Sequence, residues 1–175
     1  MALEKSNNEI FQLLWSIPKT KIEDNTFKNC NDLYQIEIPS SVTEIGISSF
    51  MQCIALKEIT IPKSVVKIDR EAFAKSSISK VNFEEPSSLK YIGEKSFFSC
   101  YSLREISLPP SLEIIESQVF AECSHLKEIV IPSSVVNIGS KCFHNCYSLE
   151  KVTFENNSNS IKIGNGAFTN CTNLI

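Results

Sequence analysis

Residues 56–73 read LKEITIPKSVVKIDREAF, and residues 126–143 read LKEIVIPSSVVNIGSKCF. The two stretches keep the same order of aliphatic residues, proline, serine and phenylalanine, although they lie far apart in the chain. Internal repetition with a fixed period is the sequence signature of a solenoid, in which each repeat buries its apolar side against its neighbours. We therefore predict a stack of similar turns rather than a globule with one central core.

One phenylalanine per repeat sets the period. It recurs with separations of 23, 23, 24, 23, 23 and 25 residues, as Phe27, Phe50, Phe73, Phe97, Phe120, Phe143 and Phe168. Two further columns are entirely aliphatic: Leu33, Leu56, Ile78, Leu103, Leu126, Leu149 and Leu174; and Ile22, Ile45, Ile68, Ile92, Ile115, Ile138 and Ile163. The period predicts about seven repeats of 23 residues over residues 17–175, after an N-terminal cap at residues 1–16.

Each repeat contains a short strand followed by a stop. In Ile59-Thr60-Ile61 the alternation places the isoleucines inward and Thr60 outward, which is typical of a half-buried strand. Pro62 ends that strand because it has no backbone N–H to donate. Strands stacked turn upon turn form a parallel sheet with about 4.8 Å between neighbours.

The return side of the repeat has a different period. Phe50, Cys53 and Leu56 recur every third residue, which fits a 3₁₀ or irregular outer wall better than an α-helix. Glycine marks a tight corner in several repeats, but Asp69 and Glu116 occupy the same column, so a left-handed backbone is not required there.

Both ends differ from the middle. Ser6-Asn7-Asn8-Glu9 resembles a capping box, and the apolar residues that follow predict a short amphipathic helix over residues 10–15 that covers the first turn. At the other end, the sequence stops at Leu174-Ile175, where the next strand would begin. An uncapped last turn favours, as one hypothesis, end-to-end self-association. Two loops with added residues, 84–87 and 155–160, are expected to bulge from one edge.

Ile38-Pro39-Ser40-Ser41-Val42-Thr43-Glu44-Ile45-Gly46 and the recurring Ala-Phe-x-x-Cys resemble the BspA-like subclass of leucine-rich-repeat proteins, over residues 17–175. The resemblance implies a mostly β solenoid of the α/β leucine-rich-repeat type, right-handed, with one strand per repeat on the concave face. It also implies a surface adhesin or antigen. The N-terminal sequence, in contrast, has no apolar secretion signal and favours a cytoplasmic protein, so localisation stays open.

Composition argues against several classes of function. The formal net charge is −3, which disfavours a broad nucleic-acid-binding surface. No stretch approaches the roughly 18 consecutive apolar residues of a membrane span. The sequence indicates no cofactor.

Cysteine and histidine are the chemically suggestive residues. One column holds Cys30, Cys53, Cys100, Cys123, Cys146 and Cys171, with Ser76 in the remaining place. We interpret it as a ladder of reduced core thiols; disulfides between turns or a metal site are the alternatives. A zinc site at Cys142-Phe143-His144-Asn145-Cys146, completed by His125 or Cys123, lacks metal-ligand spacing. Neither histidine has an evident carboxylate or nucleophile as partner, so we predict that the protein is not an enzyme.

The outward residues of the strands are the predicted binding surface, because seven turns bring them side by side on a rigid scaffold. Three adjacent columns form it: Tyr34, Lys57, Ser79, Arg104, Lys127 and Glu150; Gln35, Glu58, Lys80, Glu105, Glu128 and Lys151; and Glu37, Thr60, Asn82, Ser107, Val130 and Thr153. We predict that this concave face binds an unidentified protein, such as a host protein. The alternative is a solvated face whose lysines and glutamates shield one another.

Overall fold

The computed structural model describes residues 19–155 and 160–175, which form a parallel β-solenoid. The capping box and short helix predicted at residues 6–15 lie outside the described residues, as do four residues of the predicted loop at 155–160. Across the two described ranges the regular structure is all strand, with no helix. Those ranges accordingly contain no helix with the length and apolar character that a membrane crossing requires.

Short strands make up the regular structure of every turn. In chain order they are β1 (Lys21–Ile22), β2 (Glu44–Ile45), β3 (Glu58–Ile61), β4 (Lys67–Ile68), β5 (Lys80–Phe83), β6 (Tyr91–Ile92), β7 (Ile114–Ile115), β8 (Glu128–Ile131), β9 (Asn137–Ile138), β10 (Lys151–Phe154) and β11 (Lys162–Ile163). All pairings between them are parallel. The predicted mostly β, parallel solenoid is confirmed.

The four longer strands are the ones predicted from the alternating pattern. β3 pairs with β5 and β8 pairs with β10, in register with the sequence columns. In β3 the side chains alternate between exposed and buried, and the strand ends at the residue before Pro62. The prediction of inward isoleucines and a proline stop is therefore confirmed.

A second sheet, which the sequence analysis missed, runs along another side of the solenoid. It contains the seven two-residue strands in the order β1-β2-β4-β6-β7-β9-β11. Each of these strands includes the isoleucine of the second aliphatic column, for example Ile68 paired with Ile92. The segment interpreted as a corner thus begins with a strand in every turn.

The return wall consists of consecutive tight turns, which agrees with the irregular wall predicted from the sequence. Two residues per turn are left-handed, and all of them except Gly166 are residues other than glycine, for example Glu71 at φ 56° and Lys75 at φ 59°. In that turn three N–H groups, of Glu71, Phe73 and Lys75, donate to carbonyls of the following turn at 2.7–2.9 Å. The same three-bond pattern occurs at each of the six interfaces. These bonds hold the unfavourable backbone conformation in place.

The glycine corner is not left-handed, which agrees with the acidic residues found in its column. Among Gly46, Gly93, Gly139 and Gly164 none has a positive φ. Their small size serves a close approach instead: a Cβ on Gly93 would lie 2.7 Å from the backbone nitrogen of Arg70 in the preceding turn.

The core is a stack of columns. The seven phenylalanine rings lie face to face, with centroids 5.0–5.6 Å apart in successive turns. Beside them, cysteine thiols donate to the phenylalanine carbonyl of the preceding turn, as Cys123 Sγ does to the Phe97 carbonyl at 3.2 Å. The cysteine column therefore satisfies buried backbone acceptors, which explains why small, weakly polar side chains occupy it.

Candidate functional site

The outward side chains of β3, β5, β8 and β10, together with those of the equivalent segments 34–37 and 104–107, form one surface, which we call the ladder face. All residues of the three predicted columns lie on it and are exposed, apart from the half-buried Ser79 and Asn82: Tyr34, Gln35, Glu37, Lys57, Glu58, Thr60, Ser79, Lys80, Asn82, Arg104, Glu105, Ser107, Lys127, Glu128, Val130, Glu150, Lys151 and Thr153. The strand backbone places them there because alternate residues of each strand point away from the core.

The charged residues of the ladder face are not paired with one another. Six ion pairs occur among the described residues, and all of them lie on the second sheet or its neighbouring turns, for example Lys67–Asp69 at 2.7 Å and Lys90–Glu113 at 2.6 Å. None includes a ladder-face side chain. The alternative interpretation is a solvated face whose lysines and glutamates shield one another. Direct ion pairs therefore do not provide that shielding.

Three depressions lie on the ladder face. The first, of about 580 Å³, extends from the segment 34–38 across β3 to the end of β5 and includes Tyr34, Glu37, Glu58 and Glu84 in its lining. The second, of about 220 Å³, lies between Lys80–Phe83 and the segment 105–107. The third, of about 470 Å³, is lined by the charged side chains Glu58, Lys80, Arg104, Glu105, Lys127 and Glu128.

The first two depressions coincide with breaks in the hydrogen-bonded ladder. The Ser79 N–H donates to the Lys57 carbonyl at 2.8 Å, and the Lys127 N–H donates to the Arg104 carbonyl at 3.1 Å. In the described part of the chain, no equivalent bond joins Lys57 to Tyr34 or Arg104 to Ser79. The break between Ser79 and Arg104 spans the turn that contains the added residues 84–87, which lengthen the path between the two strands.

Glu84 belongs to the first depression but was not among the predicted site residues. It follows β5 directly, and its carboxylate accepts a hydrogen bond from the Lys63 N–H at 3.3 Å. The residues added to its loop could have indicated that Glu84 belongs to the site, because a loop at the end of a strand borders the strand's outward face.

Exposed aromatic side chains form a separate group at the edge between the return wall and the ladder face. Tyr101 and Tyr147, two turns apart in one column, are 54% and 49% exposed. The Tyr101 hydroxyl donates to Glu122 Oε2 at 3.2 Å, while the neighbouring Phe98 is half-buried. On the ladder face itself, the exposed aromatic residue is Tyr34, at 65%.

The cysteines are held as neutral thiols in the core. Burial raises the pKa of Cys53, Cys100 and Cys142 to about 12. All seven cysteines are free, and Cys30 and Cys171, in the terminal turns, are only half-buried. A thiol whose pKa lies far above neutral supplies little of the thiolate that nucleophilic attack or metal binding needs.

The histidines lie in different surroundings. His125 Nδ1 is 2.6 Å from the Tyr101 carbonyl, whereas His144 Nδ1 is buried without a hydrogen-bond partner. Within residues 19–155 and 160–175, no three histidine, cysteine, aspartate or glutamate side chains are grouped as a metal site requires. The segment 142–146 therefore does not assemble a zinc site with its neighbours in the described structure.

Comparison with known sequences identifies the repeat. A family profile described as "BspA type Leucine rich repeat region" matches residues 20–134 and 90–175, with six copies. No curated protein matches the chain significantly.

Solved structures of bacterial leucine-rich repeat proteins share the fold. The T. pallidum leucine-rich repeat protein is 26% identical with a TM-score of 0.60, over 81% of this chain and 75% of its own. A leucine-rich repeat protein from Bacteroides ovatus is 24% identical with a TM-score of 0.60, over 91% and 64%. A leucine-rich cell surface protein from Faecalibacterium prausnitzii is 26% identical with a TM-score of 0.55, over 89% and 41%. The chain thus spans less than two thirds of the length of the B. ovatus and F. prausnitzii proteins.

Proposed function

Because the chain belongs to the BspA-type leucine-rich repeat family, whose repeats generally mediate protein–protein interaction, we propose that it is a non-catalytic module that binds a protein through the ladder face. The supporting observation is the contrast in ion pairing. All six ion pairs of the described residues lie on the second sheet or its neighbouring turns, whereas the charged side chains of the ladder face are exposed and take part in none of them. Unpaired surface charges are available to set the orientation and specificity of a partner.

The depressions support the same proposal. A partner needs recesses in which its side chains lose contact with water, since binding energy concentrates in such places. All three depressions open on the ladder face. Among the described residues, the ladder face thus combines surface depressions with charged side chains that form no ion pairs.

A finer proposal concerns the setting. The F. prausnitzii relative is described as a cell surface protein. By analogy, we infer that this chain acts as an adhesin or antigen that recognises a host protein. Labelling of intact cells with a membrane-impermeant reagent tests this inference, and absence of label on the chain would contradict it.

The binding proposal is tested by charge reversal. A partner retained on the immobilised chain is identified, and its affinity is compared for wild type and the triple variant Glu58→Lys, Glu105→Lys and Glu128→Lys. The matched control makes the same charge change elsewhere, with Glu23→Lys, Glu94→Lys and Glu113→Lys. We expect the ladder-face variant to lose at least tenfold in affinity and the control to lose much less. Equal affinities for both variants would refute the proposal.

End-on self-association is a second candidate, supported by the last turn. Ile163 and Phe154 are 49% and 41% exposed there, whereas Ile22, the residue of the first turn equivalent to Ile163, is 1% exposed. Exposed apolar area of this kind favours contact with another protein surface. Light scattering over a range of protein concentrations tests it. A molecular mass that stays at that of the monomer would contradict association. A mass that rises with concentration in wild type, but not in the variant Ile163→Lys, would support it.

A further inference from the structure

The first depression differs from the third in the charges that line it. Glu37, Glu58 and Glu84 supply three carboxylates beside one lysine, Lys57, whereas the third depression, which shares Glu58, also contains Lys80, Arg104 and Lys127. Negative charge therefore exceeds positive charge in the lining of the first depression.

The one lysine that lines the first depression does not offset these carboxylates. Lys57 Nζ turns back to its own turn and donates to the Ile54 carbonyl at 3.2 Å. The bond that Glu84 accepts comes from a neutral donor, the Lys63 N–H. In the described ranges, none of the three glutamates takes part in an ion pair.

The floor of the first depression is apolar. Ile36, Ile38 and Ile59 line it, and Tyr34 stands exposed at its rim. A lysine or arginine side chain matches this arrangement, because its stem is apolar and its tip is charged. An aromatic ring such as that of Tyr34 attracts a cation placed over its face.

The backbone at this position also lacks its usual partners. Where the ladder continues, the Ser79 N–H donates to the Lys57 carbonyl, but the described structure has no such bond from the Lys57 N–H to the Tyr34 carbonyl. Main-chain donors and acceptors are therefore left at the rim of the first depression. An extended peptide satisfies such groups with its own backbone.

We propose that the first depression receives an extended basic segment of the protein partner, with a lysine or arginine side chain inserted between the segment 34–38 and β3. The stem lies on the isoleucine floor, and the charged tip lies among Glu37, Glu58 and Glu84. This inference rests on the proposed function and narrows the partner to one that presents a cationic, unstructured or loop segment to the ladder face.

The test uses fluorescently labelled hexa-arginine and hexa-glutamate, with anisotropy measured on the full chain at about 0.15 M salt, where long-range attraction is largely screened. The double variant Glu37→Gln and Glu58→Gln removes charge from the depression. The matched control, Glu105→Gln and Glu128→Gln, removes the same charge from the same face. We expect the first variant to bind hexa-arginine about tenfold more weakly and the control less than about threefold more weakly.

A third variant tests the rim without a change of charge. Tyr34→Ala is expected to weaken hexa-arginine binding, and circular dichroism establishes that each variant is folded. Equal losses in the two double variants, or no binding of hexa-arginine by wild type, would overturn the inference. Neither result affects the charge-reversal experiment, which measures binding of the protein partner to the ladder face. Failure of this inference is therefore distinguishable from failure of the proposed function.

Discussion

Phe143 and Phe168 lie in consecutive turns with their rings parallel to within 1° and their centroids 5.2 Å apart. Phe143 is fully buried, whereas Phe168, which among the described rings stacks on Phe143 alone, is half-buried. The stabilisation that each phenylalanine provides should therefore depend on its place in the stack.

We expect Phe97→Ala to lower the free energy of unfolding by about 3–5 kcal/mol, because it opens a cavity between two rings. Phe168→Ala should cost less than half as much. Urea denaturation followed by circular dichroism measures both. Equal losses would show that stacking position does not control stability.

Thiol accessibility gives a second prediction. Cys30 and Cys171 are half-buried, and the other five cysteines are buried. We expect Ellman's reagent at pH 8 to modify these two thiols in the folded protein and all seven in denaturant. The variant Cys30→Ser should remove one of the fast-reacting thiols; fast reaction of Cys123 would contradict the buried ladder.

Stability should fall at alkaline pH. Burial raises the pKa of Cys142 from 9.0 to about 12. Between these values the unfolded chain releases a proton that the folded chain retains, so stability is fully present below pH 9 and declines above it. Each such thiol makes the folded state about 1 kcal/mol less stable at pH 10 than at pH 8.

Urea denaturation at both pH values measures this decline. Cys142→Ala is the matched variant, because alanine occupies the same column at Ala72 and Ala167. Its decline between pH 8 and 10 should be smaller than that of wild type by about 1 kcal/mol. If Cys142→Ala loses as much stability between pH 8 and 10 as wild type, groups other than Cys142 cause the decline.

The left-handed positions of the return wall predict opposite effects for one substitution. Lys75 has φ 59° and Lys28 has a negative φ, and both are exposed on the wall. Lys75→Gly should raise the free energy of unfolding by about 0.5–1 kcal/mol, since it relieves the strain of a left-handed side chain. Lys28→Gly should lower it by a similar amount. Changes of the same sign would contradict this account.

Ladder-face charges should contribute little to stability. Glu105→Gln and Glu128→Gln are expected to change the free energy of unfolding by less than about 0.5 kcal/mol each. Lys67→Met, which removes contacts to Asp69 and Glu44, should cost about 0.5–1 kcal/mol because both ion pairs are partly exposed. A larger cost for Glu105 or Glu128 would mean that these residues support the fold.

Much of the fold follows from the period of the sequence. Because Phe73 and Phe97 recur at corresponding places, their stacking is a direct consequence of repetition, and the alternation in Ile59-Thr60-Ile61 determines which side chains point outward. These features depend on apolar periodicity, which a single sequence displays.

Other features depend on contacts between turns and leave no such signal. A two-residue strand such as β4 is too short to show alternation. The left-handed Glu71 and Lys75 belong to residue types with no preference for that conformation, which the hydrogen bonds to the next turn impose. Likewise, the break in the ladder beside Tyr34 and the orientation of Lys57 away from the carboxylates become visible only in three dimensions.

The two kinds of hydrogen bond between turns have opposite polarity. On the return wall Phe50 N–H donates forward to the Ala72 carbonyl, whereas in the second sheet Gly46 N–H donates backward to the Ile22 carbonyl. Every internal turn therefore offers the same donors to the turn after it on the return wall and to the turn before it in the second sheet. A 23-residue block can be duplicated or excised without changing these two sets of bonds, so the length of such a protein can change by recombination while each surviving turn keeps its sequence.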